Sequence, residues 1–211
     1  EFAFKFIVRL FITMIISLVI TPVVKFIALR IGAVDQPGER RINEKAMPTA
    51  GGLAIFLSFS FAILWELNDM IPINFAWRIL LGALIVIIVG LIDDIHELSP
   101  LQKISGLLIA ALEIYFIAGI RISTISIPYI GTIDLGLFGM PMTILWILAI
   151  TNAVNLIDGL DGLASGVSII SLITLGIISY FFLPDTAVFI SMTIFTLVAA
   201  IVGFFPYNFY P

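Results

Sequence analysis

Of the 211 residues in this chain, 61% are hydrophobic and only 11% charged, against roughly 25% charged in soluble domains, so the composition excludes an ordinary water-soluble globule. The absence of cysteine and the single histidine, His96, exclude disulfides, thiolate metal sites and multi-histidine centres; any divalent ion must be held mostly by oxygen. The net charge of −4 says little about partners, and no nucleic-acid partner is expected.

A hydrocarbon core about 30 Å thick takes on the order of 20 helical residues to cross. Runs long enough to approach this recur at about Phe2–Leu29, Gly52–Leu67, Phe75–Ile92, Ile104–Ile120, Pro141–Leu156, Leu163–Leu183 and Ala187–Phe205. A backbone in lipid must satisfy its own polar groups, and nothing here alternates as barrel strands do, so the runs predict helices. The first has Lys5 and Arg9 near its start but lacks a short apolar region followed by a cleavage site, and reads as a retained span rather than a signal peptide. Between the fourth and fifth runs, "RISTISIPYIGTIDLG" alternates β-branched residues around a Pro-Tyr-Ile-Gly turn, which predicts a small hairpin outside the bilayer. The expected fold class is an all-α polytopic membrane protein of about seven transmembrane helices with a small external β-hairpin, forming a single domain over residues 1–211.

Helices that alternate in direction bring the connections after the first, third, fifth and seventh spans out on one face. Those connections carry "DQPGERRINEKAMPTAGG", "DDIHELSPLQK", "NLIDGLDG" and "PYNFYP", so nearly all the concentrated polar chemistry shares one side. Lys25, Arg30, Arg40, Arg41, Lys45 and Lys103 lie on or near it, against Lys5, Arg9, Arg78 and Arg121 on the other, and the positive-inside bias predicts that the motif face is cytoplasmic.

Asp93 and Asp94 are adjacent carboxylates at a helix end, where each raises the other's pKa unless a cation intervenes and where the helix dipole disfavours them. Glu97 joins the same patch if the helix continues, and Lys103 either counters that patch or marks the start of the next span. Asn152, Asn155, Asp158 and Asp161 repeat every three residues. On an ideal helix each step falls about 60° short of a turn, so convergence on one ligand requires a break, and Gly159 and Gly162 make it cheapest. A plainer reading makes Asp161 an N-cap, but capping does not account for Asn155 and Asp158 beside Asn152, which point to ligand or metal binding. Arg40, Arg41 and Lys45 suit phosphate, or equally a positive loop touching anionic headgroups. His96 reads as a surface residue, and Glu113, costly inside a span, either lines a polar cavity or pairs with a neighbouring helix. Carboxylates, amides and basic groups without histidine clusters suit Mg²⁺-dependent phosphate chemistry, in which the metal shares its coordination with substrate phosphates.

The segments "VDQPGERRINEKAMPTAGGLAIF", "GLIDDIHEL" with Lys103 after it, and "NAVNLIDGLDGLASG" together resemble the polyprenyl-phosphate N-acetylhexosamine-1-phosphate transferases. The likeness is strongest to the bacterial undecaprenyl-phosphate N-acetylglucosamine-1-phosphate transferases. It implies transfer of N-acetylglucosamine 1-phosphate from the UDP-sugar to undecaprenyl phosphate with release of UMP, in a bacterial cytoplasmic membrane, as a first membrane step of cell-envelope glycan synthesis. The implied cofactor is Mg²⁺, with Mn²⁺ as the alternative ion. Catalytic roles fall by resemblance on Asp93, Asp94 and Asp158, the first aspartate of the pair being the base proposed for the lipid phosphate. Metal contacts fall on Asp94, Asn155 and Asp158. Substrate contacts fall on Asn152, Asn155, Asp161, Glu97, Lys103 and the loop cations Arg40, Arg41 and Lys45. A homodimer is an expectation by analogy.

Two departures stand out. Asn43 occupies a position where the glucosamine-type relatives usually carry histidine. The chain also begins without methionine and stops at "FFPYNFYP", where relatives continue into a Phe-Met-Gly-Asp segment whose aspartate binds Mg²⁺; the expectation is the N-terminal two-thirds of an enzyme with its main Mg²⁺ ligand beyond Pro211. The rival within the family is phospho-N-acetylmuramoyl-pentapeptide transferase, whose first-loop pattern differs from "DQPGERR". Rivals outside it are a secondary transporter, disfavoured because the acids sit at one boundary and no repeat is visible, and a non-catalytic membrane scaffold.

Overall fold

The computed structural model describes residues 1–35, 47–158 and 161–209. Among them are seven α-helices, named in chain order α1 (Phe2–Ile31), α2 (Gly51–Phe61), α3 (Ile73–His96), α4 (Pro100–Phe116), α5 (Gly139–Ile157), α6 (Leu163–Phe182) and α7 (Val188–Phe209). Each apolar run of the sequence became one of these helices. Among the described residues, five segments are long and apolar enough to cross a membrane: Phe2–Ile31, Ile73–His96, Gly136–Ile157, Leu163–Phe182 and Asp185–Phe209. The chain is a multi-pass membrane protein. α2 is shorter and continues into a π-helical turn, Ala62–Glu66, a widening that the sequence pattern did not announce. α4 starts cleanly because Ser99 and Gln102 form a reciprocal capping box with Pro100 at the first helical position.

Large apolar side chains such as Phe4, Trp65, Phe181 and Phe182 are exposed, as helix faces in contact with lipid tails require. The interior seams use smaller residues. On α1 the buried Thr13, Ser17, Thr21, Val24 and Ala28 form one stripe, and Ser17 Oγ donates to the Ala200 carbonyl of α7 at 2.6 Å. Gly203 makes this approach feasible, since a Cβ there would collide with the Met14 carbonyl and Ser17 Cβ. Small residues and short hydroxyls are what close packing inside a bilayer demands.

The chain runs round a ring in which α1 packs on α2 and α7, α7 on α6, α3 on α4 and α4 on α5, with α2 between α1, α3 and α7. Two apolar clusters brace it. One joins Phe59, Ile63, Leu67, Ile71, Ala76, Leu80 and Ala200, and the other joins Val24, Ala28, Ala33, Ala50 and Ala54. The hairpin forms as β3 (Thr124–Ile127) and β4 (Gly131–Asp134), antiparallel with Ile125 opposite Ile133. A second, unforeseen antiparallel pair closes the first connection: β1 (Val34–Asp35) against β2 (Met47–Pro48).

Candidate active site

The polar ends of α3, α4 and α5 are fastened by one lysine. Lys103 Nζ donates to Asp93 Oδ2 at 2.7 Å and to Asn155 Oδ1 at 2.9 Å. The Leu98 N–H donates to Asp93 Oδ1 at 3.1 Å. Both oxygens of Asp93 are therefore engaged, and Asp93 and Lys103 are each largely enclosed, with side chains 23% exposed. α3 stops at His96 because Glu97 takes a left-handed conformation, φ 47°, with its N–H on the Asp93 carbonyl. Glu97 thus leaves the helical line on which it would have joined the aspartate pair, and it lies exposed.

Asp94, one residue on, opens into a different space. A cavity of about 650 Å³ runs between α1, α2, α3, α5, α6 and α7, with Asp94, Asn155, Asp158, Asp161, Ser165 and Asn208 among its polar lining. Its apolar lining includes Val24, Leu53, Ile55, Val86, Leu91 and Ile201, so the cavity is amphiphilic. Thr49 lines the same cavity, and both its N–H and its hydroxyl donate to the Ala33 carbonyl at 3.1 Å. The end of the first connection is thereby anchored beside the cavity that Asp94 lines.

α5 ends at Ile157 and α6 begins at Leu163, so the helix breaks beside Gly162, while Gly159 lies outside the described residues. Asp158 caps the C-terminal end of α5 in a non-helical conformation, and Gly162, φ 68°, caps α6 in the left-handed region. A Cβ on Gly162 would lie 2.8 Å from the Phe209 ring, so glycine serves both the turn and the packing. The cap of α6 is Gly162 rather than Asp161, and Asp161 stays on the cavity wall. Asp158 is exposed at the mouth, yet neighbouring helices withhold enough water to raise its carboxyl above the ordinary carboxylate range, and the charge of Asp94 raises it further. Asp94 and Asp158 are therefore electrostatic neighbours across the cavity.

Not every residue of the repeat converges. Asn152 turns its amide onto the Leu148 carbonyl of its own helix at 2.8 Å and is absent from the cavity lining. Asn155 is brought to the wall with Asp158 and Asp161. Arg40, Arg41 and Lys45 fall outside the described residues. Among those described, no group of three histidine or carboxylate side chains lies close enough to hold a metal unaided. Sequence reasoning missed Lys25, Thr49, Ser165 and Asn208 as wall residues; the last two are joined by a 2.7 Å hydrogen bond from Ser165 Oγ to Asn208 Oδ1. The one available signal was the cost of placing a polar side chain within an apolar helix.

Comparison with known proteins follows the same residues. Over 209 residues the chain is 38% identical to a Bacillus subtilis protein described as a "probable undecaprenyl-phosphate N-acetylglucosaminyl 1-phosphate transferase", covering 98% of this chain and 56% of that one. It is 32% identical over 148 residues to the decaprenyl-phosphate N-acetylglucosaminephosphotransferase of Mycolicibacterium smegmatis, covering 66% of this chain and 36% of that protein. It is also 32% identical over 187 residues to the phospho-N-acetylmuramoyl-pentapeptide-transferase of Streptococcus agalactiae, covering 82% and 55%. The chain spans about half the length of the first of these relatives. The family model for glycosyl transferase family 4 matches residues 76–211, which hold most of α3, all of α4 through α7 and both aspartate motifs, and the chain belongs to that family.

Proposed function

We propose that the protein of which these residues are part transfers N-acetylglucosamine 1-phosphate from UDP-N-acetylglucosamine to undecaprenyl phosphate. The observation that carries this reading is the amphiphilic cavity. Asp94, Asp158 and Asp161 line it together with apolar side chains from four helices, as the meeting of a water-soluble phosphate donor with a lipid phosphate requires. The transferred sugar 1-phosphate and the lipid acceptor are those in the Bacillus subtilis relative's description. Overall, an oxygen of the lipid phosphate forms a bond to the β-phosphorus of the donor while the bond from that phosphorus to UMP breaks, and UMP leaves with the electron pair.

The donor chemistry at this end fits Mg²⁺, which takes one or two carboxylates and completes its shell with water and substrate phosphates. Asn155 Oδ1 already accepts from Lys103, so Asp94 and Asp158 are the groups best placed to hold the ion. When bound, it would neutralise phosphate charge and orient the donor. Asp93, fixed by Lys103 and the Leu98 N–H, keeps the α3 end in register so that Asp94 faces the cavity. Gly162 and the end of α5 hold Asp158 opposite, and the apolar wall keeps water from the lipid side. The motif end faces the cytoplasm of a bacterial inner membrane, where the nucleotide sugar is made.

Purified full-length protein supplied with UDP-N-acetylglucosamine, undecaprenyl phosphate and Mg²⁺ should release UMP, and chelation should abolish release. Release with UDP-N-acetylmuramoyl-pentapeptide instead would move the enzyme to the peptidoglycan branch. No release with either donor would sink the reading.

A further inference from the structure

We propose that Lys25 of α1 binds the phosphate of the lipid acceptor; this rests on the function proposed above and assigns one of its substrates to a side chain. Lys25 lines the cavity that Asp94 and Asp158 also line, and it is the sole cation in that lining among the described residues. It has no ion pair or hydrogen bond among them either, whereas Lys103 is committed to Asp93 and Asn155 and Arg30 stacks on Phe26 at 4.2 Å.

Two features give Lys25 a ligand rather than a mere place on the surface. The first is charge. Three carboxylates, Asp94, Asp158 and Asp161, share the wall, so an anion entering there meets like charge from the protein itself. A phosphate monoester entering here needs a cation supplied by the protein as well as any metal. The second is position. Lys25 stands six residues before the end of α1, about 9 Å along the helix from it, with Val24 and Ala28 buried beside it and Val23, Phe26 and Ile27 exposed on the outer face. Its four-carbon stem therefore spans from a lipid-facing helix surface to the cavity. An acceptor arriving from the bilayer, with its prenyl chain along Val24, Leu53, Val86 and Ile201, presents its phosphate at this level. The donor, arriving from water, meets Asp158 and Asp161 first.

The test compares wild type, Lys25→Gln and Lys25→Arg in lipid nanodiscs. For Lys25→Gln, the apparent KM for undecaprenyl phosphate should rise about tenfold or more, the range that loss of one charge-assisted hydrogen bond produces. The KM for the UDP-sugar should stay within about twofold, and Lys25→Arg should recover most of the loss. A rise confined to the UDP-sugar would assign Lys25 to the donor's diphosphate, and no change in either would leave it as a headgroup contact; each overturns the proposal. A parallel binding arm uses fluorescent farnesyl phosphate and the matching alcohol. Weaker binding of the phosphate, but not the alcohol, by Lys25→Gln supports Lys25 even if no donor is turned over, in which case the proposed reaction fails and the site stands. Equal binding of the phosphate by wild type and Lys25→Gln overturns the Lys25 assignment whatever the turnover shows.

Discussion

The two ends of the helix ring are both polar, and they are built on opposite plans. At the end where α3 and α5 terminate, carboxylates outnumber cations in the cavity lining among the described residues, and two of them, Asp94 and Asp158, make no ion pair with those residues. At the other end, Arg9 of α1 grips Asp69 with two parallel hydrogen bonds, Nη2 to Oδ2 at 3.0 Å, and Thr13 Oγ approaches Glu66 Oε2 at 3.5 Å. Beneath that clasp lies an apolar cluster in which Phe75 meets Phe189 edge to face, ring centroids 4.9 Å apart. Paired charge over packed core serves assembly, whereas uncompensated charge over a cavity marks a site that awaits a ligand.

The two ends are expected to lie on opposite sides of the membrane. The sequence has no cysteine, so single cysteines at Asp158 and Asp69 can be labelled in intact cells without background. An impermeant maleimide should label position 69 fully and position 158 only after permeabilisation. Outside labelling of 158 would overturn the topology and the cytoplasmic site together.

Turnover separates the ends next. Asp94→Asn and Asp158→Asn should each lower UMP release about 10²-fold or more, as loss of a charge from a phosphoryl-transfer site does, with the melting temperature of the detergent-solubilised protein nearly unchanged. Near-normal turnover in either would reduce that aspartate to a wall residue.

Lys103 distinguishes holding from reacting within the motif end itself. Lys103→Met leaves Asp93 with only the Leu98 N–H and frees Asn155, which should cost roughly 1–3 kcal/mol of stability as a partly buried charge loses its partner. In a cycle with Asp93→Asn the two losses should be strongly non-additive. Additive losses would mean that Asp93 and Lys103 stabilise the fold through separate contacts rather than through each other.

How far the site was legible follows from the same contrast. Apolar runs and parity carry the seven helices, the hairpin and the gathering of "DD" and "NLIDGLDG" at one end, since length and hydropathy alone fix those in a bilayer. Side-chain direction is not legible in that way. Asp93 and Asp94 are adjacent and alike in sequence, yet one is consumed by Lys103 and the other faces the cavity, a distinction set by where α4 lands. Glu97 leaves the acidic patch because of one left-handed residue, and Asn152 turns to its own helix because a carbonyl one turn back competes for its amide. Lys25 adds to the positive charge of the motif face, but its place within an apolar helix is the informative fact. Glu113, costly inside a span, is 6% exposed in α4, with neither oxygen hydrogen-bonded among the described residues and the room for it provided by Gly82 of α3.

The smallest effect belongs to the clasp at the far end, and its sign is the informative part. Hydrogen bonding from Arg9 holds the Asp69 carboxyl below the ordinary carboxylate range. A carboxylate whose pKa is lower folded than unfolded stabilises the fold fully above its unfolded value, and that contribution is lost as the pH falls through the folded value. Asp69 is more than half exposed and Arg9 about a quarter, so water screens the pair and its worth is no more than about 1 kcal/mol. Asp69→Asn should therefore lower the melting temperature slightly at neutral pH and leave UMP release untouched. Below the ordinary carboxylate range the difference from wild type should shrink, as wild type loses the same interaction by protonation. A difference that persists there would locate the benefit of Asp69 in packing of the α2–α3 connection rather than in its charge, and a loss of turnover at neutral pH would show that the two ends are coupled.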